Sequence, residues 1–357
     1  MQDSTDFSSV YRTLDANFNR CQEGLRVLEE IARFSYNHST LSACLKDLRH
    51  QLVHCFPEVW FSRFQSMRDV QGDVGRTTRS DDEYQRPDLD AVFNANASRI
   101  KQSLRTLEEF SKPLSEQVAS KVEELRYEFY RWESLASLSR TAAARMDHAE
   151  IYVLTDGLAS NGQFENWLKG LMVAPPDVIQ LRDKKLNDRQ LLERAQVLRR
   201  LTQGTQTLMV INDRPDIARL CNSDGVHVGQ DELSVEAVRR IVGPDMLIGV
   251  STHEVGQLRE AILHGAQYLG AGPTFPSETK LFEDFPGLDY LREAAGFPDL
   301  PVFAIGGIDL ENVDRVLETG IHRIAVSGCI ARAKDPAEMV TQFRKKLGHG
   351  TSSPLSS

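Results

Sequence analysis

The sequence predicts an α/β protein, a closed (β/α)8 TIM barrel preceded by an all-helical domain. Eight short apolar runs occur between residues 151 and 328, and polar segments of helix length separate most of them. A strand that is buried on both faces has such a continuous apolar run rather than an alternating pattern. The first 147 residues instead have helical patterns and little sign of strands. In a (β/α)8 barrel the functional groups lie where the strands end and the βα loops begin.

The eight runs predict the barrel strands in chain order. They are residues 151–156, 178–183, 208–213, 225–229, 247–251, 268–273, 302–307 and 323–328. We expect the barrel domain at residues 148–347. The small polar tail at residues 348–357 is expected to be disordered.

The domain at residues 1–147 is expected to contain helical segments at 11–36, 39–56, 88–112 and 114–145. A loop rich in Gly and Asp, residues 67–88, separates the second segment from the third. An internal repeat relates the helix that begins near residue 15 to the helix that begins near residue 94, so that Asn17 and Arg20 match Asn96 and Arg99. Two similar helices indicate internal pseudo-symmetry.

Composition restricts the class of function. With 357 residues, 41% apolar and 26% charged, the chain is an ordinary globular protein of about two domains. No apolar run approaches a membrane span, no signal peptide is visible, and the five cysteines lack CxxC spacing, so we expect a cytoplasmic protein with reduced thiols. A net charge of −9 argues against non-specific nucleic-acid binding. Small-molecule ligands remain as the expected partners, and a homo-oligomer stays open.

Cations follow the second predicted strand. Alternation places Gln180 and Arg182 on one face, toward the barrel interior, and Lys184 at the rim. Two cations at one strand end suit a polyphosphate. The alternative is a surface ion pair with Asp183 or Asp188.

Oxygen donors follow the third and fourth strands. Asn212 and Asp213 end the third, and Asp231 and Glu232 follow the fourth. Amide and carboxylate oxygens at neighbouring strand ends suit Mg²⁺ held jointly with a substrate phosphate. The alternative is that Asp213 and Asp231 cap the helices that follow them. His227, a lone histidine in an apolar strand, is assigned no chemistry.

The later strand ends carry hydroxyls, a lysine and glycines. Ser251, which ends the fifth strand, is either a hydrogen-bond donor to a ligand or a helix cap. The loop after the sixth strand contains Ser277, Thr279 and Lys280, which suit a pyrophosphate or a charged leaving group. The turns after the seventh and eighth strands favour a phosphate site, since backbone N–H groups approach a phosphate closely there. Those turns contain Gly306, Gly307, Ser327 and Gly328.

In combination these motifs resemble the thiamine-phosphate synthases, also called thiamine-phosphate pyrophosphorylases. The barrel contains QLRDK, INDRPDIA, GVHVGQDE, GVSTHE, GPTFPSETK, AIGGI and AVSGCI in that order. Enzymes of this family join 4-amino-2-methyl-5-(diphosphooxymethyl)pyrimidine to a thiazole phosphate, which is carboxylated in many bacteria. They release pyrophosphate and, with the carboxylated thiazole, CO₂.

The resemblance implies a role for each motif on the pyrimidine side. Gln180, Arg182, Lys184 and Asn212 would bind the pyrimidine diphosphate, and Ser251 would face the pyrimidine ring. Asp213 and Glu232 would hold Mg²⁺. Where the family usually has Asp, this chain has Glu232 preceded by Asp231. Either Glu232 reaches the ion through its longer side chain, or Asp231 replaces it, or one of them binds through water.

On the thiazole side, Ser277 and Thr279 would contact the substrate, with Ser277 standing where the family commonly has Thr. Gly307 and the backbone around Val326 and Ser327 would hold its phosphate. Lys280 would face the leaving pyrophosphate. Loss of pyrophosphate leaves a pyrimidine cation, so the reaction needs Arg182, Lys184, Lys280 and Ser251 rather than a strong base.

The helical domain resembles an extension fused to this synthase in some bacteria and associated with phosphorylation of hydroxymethylpyrimidine phosphate. The resemblance implies that ATP is a further ligand. It points to Asn17, Arg20, Arg68, Asp69, Asp73, Asn96 and Arg99. The alternative is that this domain serves assembly. Competing readings of the whole chain are a barrel like that of the thiazole tautomerases and a non-catalytic protein that binds thiamine precursors.

Overall fold

The computed structural model describes residues 7–68, 86–156, 158, 160–276, 285–297 and 299–348. The chain forms two compact units, Met1–Ser137 and Leu138–Ser357. The boundary expected at residue 147 falls inside the second of these units. Within the described ranges, no helix is both long and apolar enough to cross a membrane.

The first unit is helical, as the sequence predicts. Its helices are α1 Ser8–Glu30, which continues into a π-helical turn Ile31–Ser35, α2 Ser39–Cys55, α3 Glu58–Met67, α4 Leu89–Ser111 and the greater part of α5 Glu116–Met146. The residues of α5 from Leu138 onward belong to the second unit. Helix α3 was not predicted. It begins after Pro57 and buries Trp60 and Phe64, so the dense aromatic residues of this segment were the available signal.

The internal repeat has a structural counterpart. Helices α1 and α4 approach closely at Gly24, where an added Cβ would lie 2.8 Å from Ile100 Cγ1. In each repeat a buried glutamate accepts hydrogen bonds from an arginine one turn earlier and from an arginine of another helix. These residues are Arg26, Glu29 and Arg49 in the first repeat, and Arg105, Glu108 and Arg126 in the second. The two repeats therefore share a charge network as well as a sequence.

The second unit contains a closed parallel barrel with strands in the order β1 to β8. The strands are β1 Ile151–Thr155, β2 Val178–Leu181, β3 Leu208–Asn212, β4 Gly225–Val228, β5 Leu247–Thr252, β6 Tyr268–Ala271, β7 Val302–Ile305 and β8 Ile324–Val326. All eight predicted strands are confirmed. Most end one or two residues before the apolar run does, so the last polar residues of the runs lie in the rim loops.

Helices α6 to α14 follow the strands. They are α6 Asn161–Leu171, α7 Asp188–Thr202, α8 Pro215–Leu220, α9 Val235–Val242, α10 Val255–Leu263, α11 Gly287–Ala295, α12 Val313–Leu317, α13 Gly328–Ala331 and α14 Pro336–Gly348. Their apolar faces and the outward strand residues form the larger core. A separate cluster fills the barrel interior with Tyr152, Val178, Val210, Leu247, Tyr268, Phe303 and Ala325. The interior is therefore packed and supports the rim from below.

Side chains at the base of the barrel tie neighbouring strands together. Asp177, directly before β2, accepts the N–H of Ile151 at 2.8 Å. Asp224, directly before β4, accepts the N–H of Met209 at 2.8 Å and also a hydrogen bond from Arg199 at 2.9 Å. These bonds help to set the strand register, and the register decides which side chains meet at the opposite rim.

Candidate active site

Three predicted residues meet at the rim above β2, β3 and β4. The ammonium of Lys184 lies 3.3 Å from Asp213 Oδ2 and 3.9 Å from Glu232 Oε1. The three residues are 29 and 19 positions apart along the chain, so only the adjacent strand ends bring them together. One cation already bridges two carboxylates at this place.

The backbone of Asp213 is left-handed, with φ of 60°. This conformation is uncommon outside glycine, although Asp and Asn tolerate it better than most residues. The Asp213 N–H donates to the His227 carbonyl at 2.8 Å, which ties this turn to β4. Helix α8 has Arg214 at its N-cap position and no side-chain capping bond. Asp213 therefore does not act as a cap and stays available at the rim.

Glu232, rather than Asp231, faces Lys184. An added Cβ at Gly229 would lie 2.5 Å from Glu232 Oε2, so the missing side chain leaves the space in which this carboxylate lies. Asp231 is exposed and forms no ion pair with a described residue. Helix α9 is capped by Ser234 instead, whose hydroxyl accepts the Ala237 N–H. The capping alternative is therefore not realised at Asp231 either.

The donor set at this rim fits Mg²⁺. Mg²⁺ is commonly held by one or two carboxylates, with substrate phosphates and water completing the octahedron. Asp213 and Glu232 supply two carboxylates that converge on one positive charge. Within the described ranges, no cluster of three or more His, Cys, Asp or Glu side chains could hold a metal by itself. The arrangement matches an ion that a phosphate ligand helps to retain.

The cations after β2 do not form the surface ion pair with Asp183 or Asp188 that was the alternative interpretation of the sequence. The side chain of Asp183 is only 6% exposed and lies 4.0 Å from the buried Arg194, while Asp188 pairs with Arg214. Arg182 is half-buried, and its guanidinium makes no hydrogen bond with a described residue. A cation without a partner near a strand end is suited to an anionic ligand.

Gln180 lies deep in the barrel, with 1% of its surface exposed. Its amide nitrogen donates to the Tyr152 hydroxyl at 2.8 Å, and that hydroxyl lies 3.2 Å from the Tyr268 hydroxyl. The amide oxygen of Gln180 is buried and has no hydrogen-bond partner among the described residues. Buried acceptors normally have partners, so this oxygen is an available point of contact for a ligand.

His227 has a role that the sequence did not indicate. Its Nε2 lies 3.0 Å from the Ser251 hydroxyl, whereas its Nδ1 is buried without a partner. Burial, and then the charge of Arg182, lowers the pKa of His227 to about 4, so the ring is neutral at pH 7. An unpartnered buried N–H costs more than an unpartnered ring nitrogen. The proton therefore belongs on Nε2, which donates to Ser251 and leaves the hydroxyl proton of Ser251 for another acceptor.

The loops after β6 and β7 also converge. Gly306 and Gly307 have φ of 103° and 64°. A Cβ on Gly307 would lie 2.6 Å from the Pro276 carbonyl oxygen, so this turn packs directly on the β6 loop. Val326 ends β8, and Ser327 precedes the short helix α13. Ser277, Thr279 and Lys280 lie outside the described residues.

In the helical unit the two predicted Asn–Arg pairs have matching geometry. The Asn17 amide donates to the Thr13 carbonyl at 2.9 Å, and the Asn96 amide donates to the Val92 carbonyl at 2.8 Å. Arg20 and Arg99 are exposed one turn further along. The equivalence covers side-chain geometry as well as position.

Arg68, the first residue of the predicted loop motif, pairs with a carboxylate of α1. It forms two hydrogen bonds, of 2.7 and 2.6 Å, to the largely buried Asp15. This contact raises the pKa of Arg68. Asp69 and Asp73 lie outside the described residues.

The fold defines a (β/α)8-barrel protein in which charged side chains from neighbouring strand ends meet at the rim. Residues 151–330 match the sequence model of the family described as thiamine monophosphate synthase. The chain belongs to this family. Residues 12–135 match the ThiD2 family.

Relatives and a solved structure agree with the match. A thiamine-phosphate synthase of Rhodopirellula baltica is 42% identical over 334 residues, which covers 90% of this chain and 88% of the relative. One from Thermosynechococcus vestitus is 36% identical over 341 residues, covering 95% of each chain. The structure of a thiamine phosphate pyrophosphorylase from Pyrococcus furiosus superposes with a TM-score of 0.52 at 30% identity, covering 58% of this chain and all of that one. The similarity to full-length relatives thus includes the helical unit.

Proposed function

We propose that the barrel joins 4-amino-2-methyl-5-(diphosphooxymethyl)pyrimidine to a thiazole phosphate, forms thiamine phosphate and releases pyrophosphate. With a carboxylated thiazole, CO₂ is also released. The observation that carries the proposal is the contact of Lys184 with Asp213 and Glu232 at the rim. A lysine and two carboxylates are what a magnesium diphosphate needs from a protein. A tautomerase, which releases no pyrophosphate, has no use for this set.

The diphosphate is bound by the groups above β2 and β3. Arg182 offers a bidentate guanidinium, Lys184 a point charge and Asn212 an amide. Asp213 and Glu232 would hold Mg²⁺, which would supply positive charge to stabilise the leaving pyrophosphate. The ammonium of Lys184 is more than half exposed, so it can turn from these carboxylates toward the phosphate oxygens of the substrate.

The pyrimidine is recognised by two neutral groups inside the barrel mouth. The Ser251 hydroxyl, held by His227, donates its proton to a ring nitrogen. The Gln180 amide oxygen accepts from the exocyclic amino group. These bonds orient the ring while the C–O bond to the diphosphate breaks.

The reaction requires charge stabilisation and placement rather than proton abstraction. Loss of pyrophosphate gives a pyrimidinylmethyl cation that the amino group stabilises, and the thiazole nitrogen attacks this carbon. The neutral imidazole of His227 and the arginine and lysine side chains at the rim fit that course. Rigid placement of two bound substrates supplies much of the acceleration in such reactions.

The thiazole phosphate is assigned to the turns after β7 and β8, at Gly307, Val326 and Ser327. Ser277 and Thr279 are proposed to contact the thiazole, and Lys280 the pyrophosphate. What supports this is the convergence of the β6 and β7 loops at Gly307 and the preference of (β/α)8 barrels for phosphate at these strands.

Incubation of the full chain with both substrates tests the barrel function. We expect thiamine phosphate and pyrophosphate in equal amounts, and only when Mg²⁺ is present. Arg182→Ala should remove most of the activity, whereas Arg292→Ala, which removes a surface arginine paired with Asp289, should not. Magnesium-independent binding of the diphosphate by calorimetry, without turnover, would instead support a non-catalytic binding protein.

For the helical unit we propose phosphorylation of hydroxymethylpyrimidine phosphate by ATP, which would supply the barrel with its substrate. Support comes from the equivalent geometry of Asn17 and Asn96 beside the exposed Arg20 and Arg99. The full chain with ATP and the pyrimidine monophosphate should form the diphosphate, and Arg20→Ala or Arg99→Ala should reduce the rate. No phosphate transfer would leave assembly as the function of this unit. The cytoplasmic location and any homo-oligomer stay predictions.

A further inference from the structure

We infer that Tyr152 is a positioning residue of the synthase. Its hydroxyl holds the Gln180 side chain so that the amide oxygen, rather than the amide nitrogen, meets the amino group of the pyrimidine. Tyr152 thereby sets the selectivity for an aminopyrimidine although it contacts no substrate itself. This inference rests on the proposed function of the barrel.

The contact between the two residues is buried. Gln180 and Tyr152 expose 1% and 3% of their surfaces. The Gln180 amide nitrogen donates to the Tyr152 hydroxyl at 2.8 Å. Because one end of the amide has this partner and the other has none among the described residues, the free end is the oxygen.

The two ends of a glutamine amide have nearly the same shape, so hydrogen bonds decide which end points where. The Tyr152 hydroxyl has one proton and lies 3.2 Å from the Tyr268 hydroxyl. When Tyr152 donates this proton to Tyr268, its oxygen can only accept, and it then accepts from the Gln180 nitrogen. With the proton placed in this way, Tyr268 keeps Tyr152 in the role of acceptor toward Gln180.

The ring of Tyr268 lies in the space left by the missing side chain of Gly249. An added Cβ at Gly249 would lie 2.1 Å from Tyr268 Cζ, so the ring occupies space that any larger residue on β5 would take. Its ring also packs 6.1 Å from Phe303 and 5.5 Å from His227 between centroids. The hydroxyl groups of Tyr152 and Tyr268 thus lie in a packed layer of side chains directly below the proposed pyrimidine site.

Together, Gln180 and Ser251 present an acceptor and a donor. A 4-aminopyrimidine has an N–H donor at the amino group and an acceptor at the adjacent ring nitrogen, which matches this order. A 4-oxopyrimidine has the opposite order, with a carbonyl acceptor beside a ring N–H. A site with buried polar groups rejects a ligand that leaves them unpaired, so the order of the two groups discriminates between the rings.

The experiment compares binding of the two rings to the full-length enzyme with Mg²⁺. The 4-amino diphosphate is measured through its KM, and the 4-oxo diphosphate through its competitive inhibition constant. The wild type should favour the amino ring. Tyr152→Phe keeps the ring but lets the amide rotate, so we expect the preference to fall about tenfold. Tyr268→Phe should also lower the preference for the amino ring. The Tyr152 hydroxyl then loses the acceptor of its proton and donates this proton to the amide oxygen of Gln180 instead.

Tyr290→Phe is the matched control. It removes another buried hydroxyl of the barrel, which donates to Thr252 at 2.6 Å, and it should leave the preference unchanged. In a Gln180→Met background, Tyr152→Phe should have no further effect on the preference, since its action passes through Gln180. A purely structural role of Tyr152 would lower thermal stability in both backgrounds and leave the ratio alone.

Three results overturn the inference. The first is that folded Tyr152→Phe prefers the amino ring as strongly as the wild type does. The second is that Tyr152→Phe lowers this preference equally in the Gln180→Met background, and the third is that the wild type binds both rings equally. The last of these needs no variant, so a Tyr152→Phe protein that does not fold leaves the test intact. A wild type that makes no thiamine phosphate refutes the proposed function instead, which is a separate outcome.

Discussion

The ammonium of Lys184 lies 3.3 Å from the carboxylate of Asp213. These residues lie in the loops that follow the neighbouring strands β2 and β3, and the same ammonium also reaches Glu232 at 3.9 Å. A lysine that contacts two carboxylates balances only one of their two negative charges, and a divalent cation at this place would balance both. If such an ion took the place of the ammonium, Lys184 would be available to the diphosphate, so metal and substrate binding should strengthen each other.

The first prediction concerns the two candidate acidic residues after β4. Glu232→Gln and Asp213→Asn should each raise the Mg²⁺ concentration for half-maximal activity at least about tenfold, because one of two carboxylate ligands is lost. Asp231→Asn should change it little, since Asp231 is exposed and away from Lys184. Titration of activity with Mg²⁺ measures all three. A large effect of Asp231→Asn alone would place the metal ligand there.

The second prediction concerns the charge of Lys184. Lys184→Met should lower kcat by about 10²-fold, the usual effect of losing one group that stabilises a transition-state charge. Thermal stability should stay close to that of the wild type, because exposed ion pairs contribute little. Lys169→Met is the control, as it removes an exposed lysine paired with Glu165. Equal rates for the two variants would contradict the assignment.

The third prediction is a pH dependence of stability through His227. Its pKa is lowered to about 4 in the folded chain from the ordinary 6.5. Between these values the unfolded chain binds a proton that the folded chain does not. Stability should therefore decrease as the pH falls from about 6.5 to about 4, by on the order of 3 kcal/mol, and this contribution should change no further below that.

Calorimetric unfolding of the full chain at pH 7 and pH 5 measures this dependence. His227→Asn should lose less stability over that interval than the wild type does. His54→Gln, which changes an exposed histidine on α2, serves as the control. Identical pH dependence in the wild type and His227→Asn would show that His227 is not held neutral.

The fourth prediction concerns the base of the barrel. Asp224→Asn weakens the acceptor for both the Met209 N–H and Arg199, so it should lower the free energy of unfolding by about 1–3 kcal/mol. Because this residue lies at the end of the barrel opposite the rim, KM for both substrates should stay constant in the folded enzyme. The exposed Asp289→Asn provides the comparison. A change in KM without loss of stability would be the contrary result.

The fifth prediction uses the repeat of the helical unit. Glu29→Ala and Glu108→Ala each leave two arginines without their buried carboxylate, so each should destabilise this unit by about 3 kcal/mol. Similar losses are expected because the two networks are equivalent. Glu109→Ala, at a half-exposed neighbour, should cost much less. Unequal losses measured by calorimetry would mean that only one copy of the network carries the stability.

Some features were predictable because they depend on local pattern. The strand ends were found since polar residues directly follow apolar runs. Helix α3 was missed although Trp60 and Phe64 lie one turn apart on its buried face, because Pro57 and its short length resembled a loop. His227 was given no role because a histidine inside an apolar run looks the same whether or not it contacts a serine of the next strand.

The sequence by itself determined the two-part architecture, the order of the eight strands and the family. It also placed Lys184, Asp213 and Glu232 at strand ends, since those properties follow from periodicity and chain position. The tertiary structure decided that Glu232 rather than Asp231 meets Lys184, and that Gln180 has a free oxygen above Tyr152. Such choices depend on the space that Gly229 and Gly249 leave and on strand register. The strand register and the space beside these glycines depend on residues that are far apart in the chain, so a local sequence pattern cannot predict them.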